Sequence, residues 1–280
     1  MELLYKLNLF GLCKTIYLLF GSVLLLLAVA SLFVNRKWIK KILPLCHFFI
    51  LSGVLCHVCG MGLRWYIAGY APLSNLYETM VFVSLVSLLA GLIFYRQSKV
   101  VYALAVVFGG LILFVSGLSR MEPQIGLLVP VLKSPWLIFH VSIIIISYGF
   151  FGISFLLGIN NLILLKVNQK KGNAILALRI RELSIINEMS LWTGLSFLTA
   201  GTFLGAIWAN ETWGRYWGWD PKETWALITI LAYTIVTHLA FTNKKSNPAR
   251  VNAGSVIAFL CVLITYFGVS YFLSGMHSYN

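Results

Sequence analysis

The stretch LCKTIYLLFGSVLLLLAVASLFV, residues Leu12–Val34, decides the class of fold. Lys14 is its one charge, and as a helix rising about 1.5 Å per residue it can cross the roughly 30 Å hydrocarbon core of a bilayer. It exceeds the apolar region of a signal peptide and ends at no clear small-residue cleavage site, so a retained helix is expected.

Outward from this stretch the pattern repeats. Of the 280 residues, 60% are hydrophobic and only 10% are charged, with a mean hydropathy of +0.88. Soluble chains carry about a quarter charged residues, and no soluble fold hides this much apolar surface. The apolar stretches predict eight helices, at about 12–34, 42–62, 76–95, 100–118, 135–165, 191–209, 224–243 and 254–273. The expectation is an all-α, polytopic membrane helix bundle in which 1–280 form one domain without internal repeats.

A formal net charge of +13 invites a nucleic-acid reading, but the cations sit in short connectors rather than along one polar face. Fourteen of the 21 Lys and Arg fall in alternate connectors: Arg36, Lys37, Lys40 and Lys41; Arg96 and Lys99; Lys166, Lys170, Lys171, Arg179 and Arg181; Lys244, Lys245 and Arg250. The positive-inside rule then puts both termini on the outer face, with the connectors around 63–75 and 119–134 and the segment 208–225. The partner is the lipid bilayer and not nucleic acid. The basic stretch 166–190 is long enough for an amphipathic interfacial helix, with Ile175, Leu178, Ile185 and Ile186 toward lipid.

Five of the nine Trp lie within eighteen residues, in WANETWGRYWGWDPKETW: Trp208, Trp213, Trp217, Trp219 and Trp225. Trp at helix ends ordinarily forms an interfacial belt. A belt needs one or two rings per end, whereas this segment adds Tyr216, Glu211, Asp220, Glu223, Arg215 and Lys222. Rings this dense suit a flat apolar ligand, with the cations meeting its carboxylates. Gly214 and Gly218 let the backbone turn, and Pro221 starts the next helix.

The string WGRYWGWDPKETW resembles the WWD signature of the haem-handling proteins, matched at Trp213, Gly214, Trp217, Trp219, Asp220, Glu223 and Trp225. The segment APLSNLYETMVF, from Ala71 to Phe82, and the order of the histidines resemble the CcsA (ResC) subunit of the System II cytochrome c synthetase. Tyr70 stands where many relatives carry histidine, a position outside the family's usual haem ligands. The resemblance implies a place in the bacterial cytoplasmic membrane, with 208–225 as an external loop on the periplasmic face.

Histidine in a membrane helix usually marks a partner, a metal or a proton path. His140 lies about five residues inside one end of the fifth helix and His277 just beyond the eighth, both near the depth of the tryptophan segment. Each alone reads as a packed interfacial His, but the resemblance implies that the two ligate one haem b iron, on a platform of Trp213, Trp217, Trp219, Asp220 and Trp225. His238, about thirteen residues after Trp225, matches the family's internal haem ligand, whose opposing histidine comes from a CcsB (ResB) subunit. His47 lies at a similar depth and is the alternative opposing ligand, while His57 reads equally as a helix–helix hydrogen bond.

Cys56 and Cys59 form C-H-V-C, which an apolar helix makes inert, and Gly60 follows where a c-type haem attachment site requires His. Glu78 is read either as a helix cap or as a polar contact beneath the haem. The resemblance implies a haem-handling subunit that, with its CcsB-type partner, moves haem outward and presents it to the CxxCH motif of apocytochrome c. The rivals are a System I haem-delivery subunit and a haem exporter that forms no bond. No catalytic acid or base can be named; Asp220 and Glu223 are candidates for that or for structure.

Overall fold

The computed structural model describes residues 8–31, 37–118, 123–242, 248–273 and 275. All described regular structure is helical, and eight of its helices are long and apolar enough to cross a membrane. Because lipid offers backbone groups no hydrogen bonds, apolar runs of this length satisfy them internally as helices.

The chain divides into two compact units, Met1–Lys133 and Ser134–Asn280. In the first, α1 (Leu9–Ser31) packs against α4 (Lys99–Ser116) and α2 (Lys37–Ala68), and α3 (Leu76–Ile93) packs against α4. Cys13, Tyr17, Leu24, Ile50, Leu88, Tyr102 and Val106 form the core. Both α3 and α4 begin on side-chain caps, Asn75 accepting from the Glu78 amide and Ser98 from the Val101 amide.

The second unit is built on the hairpin of α5 (Pro135–Lys171) and α6 (Ala174–Trp213), followed by α7 (Pro221–Thr242) and α8 (Pro248–Leu263). The last helix continues through a π turn, Ile264–Gly268, into the short turn Val269–Phe272. Three fully buried asparagines tie α5, α6 and α8: the Asn187 and Asn161 amides donate to Asn252 Oδ1 at 2.9 and 3.1 Å, and Ser154 donates to Asn187 Oδ1 at 2.6 Å. Such bonds in an apolar interior contribute about 1 kcal/mol each and fix helix rotation.

Here the structure corrects the expectation of an interfacial helix over 166–190. Those residues extend α5 and α6 and are joined by a two-residue turn in which Gly172 adopts φ +59° and Asn173 caps α6 by accepting from the Ile175 and Leu176 amides. The hairpin runs on because Leu176, Ile180, Leu183 and Ile186 recur at helical spacing and are buried. Ile175, Leu178 and Ile185 are exposed as expected, but Ile186 is turned inward. At 40 residues, α6 is about 60 Å long, well beyond a bilayer core.

Candidate functional site

The tryptophan segment lies between α6 and α7, and helix claims more of it than the sequence suggested. Trp208 and Trp213 belong to α6, where Trp208 is fully buried with its ring 4.8 Å from that of Trp213, edge to face. Gly214, at φ +72°, ends α6 and returns its amide to the Asn210 carbonyl. Trp225 lies in the first turns of α7. Only Gly214–Asp220 forms the connecting loop.

Asp220 and Glu223 shape this loop. Asp220 Oδ1 accepts from the Lys222 amide at 2.9 Å, Pro221 opens the helix, and Glu223 Oε2 reaches back to the Asp220 amide at 3.1 Å. This is a capping box with proline at the first helical position. The same Glu223 oxygen accepts from the Gly218 amide at 2.8 Å. One carboxylate therefore holds the amides on both sides of Trp219, whose φ of +56° is costly for a bulky side chain. Trp219 is held with its indole 70% exposed and edge-on to Trp217 at 5.8 Å. Asp220 is buried, and Gly275, in the tail that follows α8, lies against its carboxylate and Pro221.

Beside this loop, Thr202, Phe203, Ala206 and Ile207 of α6 join Tyr216 and Trp217 around an apolar groove of about 430 Å³. The Trp217 indole nitrogen is buried without a hydrogen-bond partner.

His140, on α5, packs against the neighbouring face of α6. Its Nδ1–H donates to the Gly201 carbonyl at 2.7 Å, so in the neutral ring the lone pair is on Nε2. Backbone bonds of this kind orient metal-ligating histidines. Gly205 provides the space: a Cβ there would lie 2.6 Å from Cε1 and 2.7 Å from Nδ1 of His140. Sequence reading missed this seat, although Gly201 and Gly205 form the small-xxx-small spacing that lets groups approach a membrane helix closely. At the same end of the hairpin, Ser134 donates to Glu211 at 2.9 Å.

His238, on α7, is exposed, and its Nδ1–H donates to the Thr234 carbonyl at 3.0 Å. It shares the tautomer of His140. His277 lies outside the described residues. In the first unit, His47 meets the Tyr102 hydroxyl at 3.1 Å and stacks on Tyr95. His57 is fully buried, with both ring nitrogens used, on Tyr17 at 3.4 Å and on the Val81 carbonyl at 3.1 Å. That is the helix–helix role weighed for it.

Of the two roles left open for Glu78, the structure shows the one at the helix start. Its amide is capped by Asn75, while its carboxylate forms a buried ion pair with Arg64 at 2.8 Å and accepts from the Ser74 amide and hydroxyl. Arg64 also donates to the Pro123 carbonyl at 2.7 Å, so the pair anchors the connector before α5. Nothing local in the sequence links Arg64 to a carboxylate fourteen residues on. All five cysteines are free. Among the described residues, no group of three or more His, Cys, Asp and Glu could hold a metal ion.

Comparison with known proteins shows the family. Residues 73–277 match the family described as Cytochrome C assembly protein. The chain is 42% identical over 281 residues to Protein NrfI of Wolinella succinogenes, covering 99% of this chain but only 31% of that protein. It is 36% identical over 245 residues to the cytochrome c biogenesis protein CcsA of Guillardia theta, 79% of this chain and 80% of that one. It is 33% identical to CcsA of Arabidopsis thaliana, with 83% of each chain covered. The chain therefore belongs to the cytochrome c assembly protein family, as a CcsA-type integral membrane protein of cytochrome c biogenesis.

Proposed function

We propose that this chain is the haem-handling subunit of a System II cytochrome c synthetase. It works with a CcsB-type partner in the bacterial cytoplasmic membrane, with both termini and the tryptophan loop on the periplasmic face. Haem b, as substrate, is held between His140 and His277 over Trp213, Trp217, Trp219 and Trp225, having passed a deeper station at His238. The observation that carries this reading is the His140 imidazole, whose Nδ1 is fixed on the Gly201 carbonyl beside the apolar groove of the tryptophan loop. An Nε2 lone pair held this way is suited to an axial position on iron.

Bound haem supplies the vinyl groups and the iron; the chain supplies position and exclusion of water. Trp217 and Trp219 offer ring faces and Arg215 and Lys222 offer cations for propionates. Two ligating histidines keep dioxygen off the iron. Each thiol of a C-x-x-C-H peptide then adds across a vinyl double bond, its sulfur to one carbon and a proton to the other. Asp220 and Glu223 are committed to the loop and serve as structure rather than as acid or base. Exposure of His238 fits a ligand pair completed by the partner subunit.

The test is co-expression of this chain, a CcsB-type subunit and a C-x-x-C-H reporter. Haem should remain on the reporter after denaturation. Haem that copurifies with the chain while the reporter stays unmodified would overturn the synthetase reading in favour of export or delivery.

A further inference from the structure

The apolar groove of the tryptophan loop and the seat of His140 use different faces of α6. At about 100° per residue, the groove's α6 lining, Thr202, Phe203, Ala206 and Ile207, points about 150° away from Gly201 and Gly205, against which the imidazole packs. A porphyrin held by His140 is thus met by another face of the helix.

Depth limits what can fill the groove. Residues 189–210 of α6 carry no charge, and at about 1.5 Å per residue this stretch matches the hydrocarbon core of a bilayer. Thr202 to Ile207 lie about 6 to 14 Å inside its Glu211 end. A polypeptide entering at this depth must bond its backbone within its own segment, so it enters as a helix.

The lining then specifies that helix. Phe203 and Ile207, 69% and 38% exposed, make a ridge along α6. Beside it, Thr202 and Ala206 have the small-xxx-small spacing that lets another membrane helix come close. The Trp217 indole N–H is buried and finds no hydrogen-bond partner among the described residues. The Thr202 hydroxyl donates to the Leu198 carbonyl at 2.8 Å and keeps lone pairs with which to accept. No lining residue is charged. An acyl chain offers the indole no acceptor, and a phosphate headgroup meets no cation in the lining. A Ser, Thr, Asn or Gln side chain satisfies both polar atoms, accepting from Trp217 and donating to Thr202. A second copy, related by a twofold axis along the membrane normal, would bring the same residues to the same depth and set one indole N–H against another.

We propose that a transmembrane helix of the CcsB-type subunit docks in this groove, placing a neutral polar side chain against the Trp217 N–H. Docking there seats the partner directly on the tryptophan loop. This rests on the reading of the chain as one subunit of a synthetase with that partner.

The experiment places the photoreactive residue benzoylphenylalanine at position 203, in the chain co-expressed with the CcsB-type subunit and a C-x-x-C-H reporter. Irradiation of the membranes should give an adduct with the CcsB-type subunit. Ala206→Leu, which fills the groove, should lower both the adduct and the partner that copurifies about tenfold. Trp217→Phe keeps a ring and drops the N–H, and should lower partner retention about threefold, the weight of one hydrogen bond between membrane helices. Each variant purified alone should keep the wild-type thermal midpoint, which separates docking from folding; should Ala206→Leu not fold, the adduct and Trp217→Phe decide. An adduct with a second copy, the reporter or lipid in place of the partner overturns the proposal, as does full retention of the partner in both variants. If the partner fails to copurify with the unaltered chain, the subunit reading itself fails; if it copurifies and the probe at position 203 misses it, only the docking surface fails.

Discussion

Replacing Gly205 with Ala should disable His140 without altering that residue itself. The added methyl would lie 2.6 Å from Cε1 and 2.7 Å from Nδ1 of the imidazole. Ordinary carbon contacts need about 3.5 Å or more, so the ring must retreat by almost an ångström. Its 2.7 Å bond to the Gly201 carbonyl cannot survive that move. Losing this bond costs about 1 kcal/mol, and overpacking adds about 1–3 kcal/mol. Alanine is the better helix former by about 1 kcal/mol, which offsets part of this. The net, about 2 kcal/mol, is a ~30-fold fall in the ratio of correctly seated to displaced imidazole. Haem content and spectrum of the purified chain provide the assay, with Gly62→Ala, where no atom lies within 4 Å of the new methyl, as the control. A Gly205→Ala protein with wild-type haem content and spectrum would refute the seating of His140 as the basis of the site.

Asp220→Asn should retain function, because asparagine caps a helix as well as aspartate, whereas Asp220→Ala should lose about 1 kcal/mol of cap stability and loosen the loop. Loss of reporter attachment in Asp220→Asn with haem still bound would instead give the carboxylate a chemical role. Glu78→Gln leaves Arg64 buried without its counter-ion and should cost about 3 kcal/mol, read as a lower thermal midpoint in detergent. An unchanged midpoint would show that the pair does not anchor the connector. His57→Leu should lower stability by about 2 kcal/mol through the stranded Tyr17 hydroxyl and Val81 carbonyl, while haem per folded molecule stays constant. A selective loss of haem there would make His57 a ligand.

Helix number and helix order were legible because apolar length is a local property: a run such as Lys99–Ser116 has no other stable form in lipid. Helix ends were less so. The charged stretch after Lys166 reads as a connector by composition, yet antiparallel packing of Leu176, Ile180 and Leu183 extends both helices through it. The candidate site divides the same way. The tryptophans, His140 and His238 stand out as rare residue types in an apolar chain, but Trp208 proves to be core and Asp220 and Glu223 to be a capping box.

By itself the sequence determined an all-helical membrane protein, its eight spans and its family, because hydropathy and the tryptophan signature are written along the chain. Only the tertiary structure decided how the signature is used. The seat of His140 needs a carbonyl sixty-one residues away and a missing side chain at Gly205. The outward indole of Trp219 needs one carboxylate shared by two amides. Directional bonds depend on which helix faces meet, and that is settled only when the helices pack.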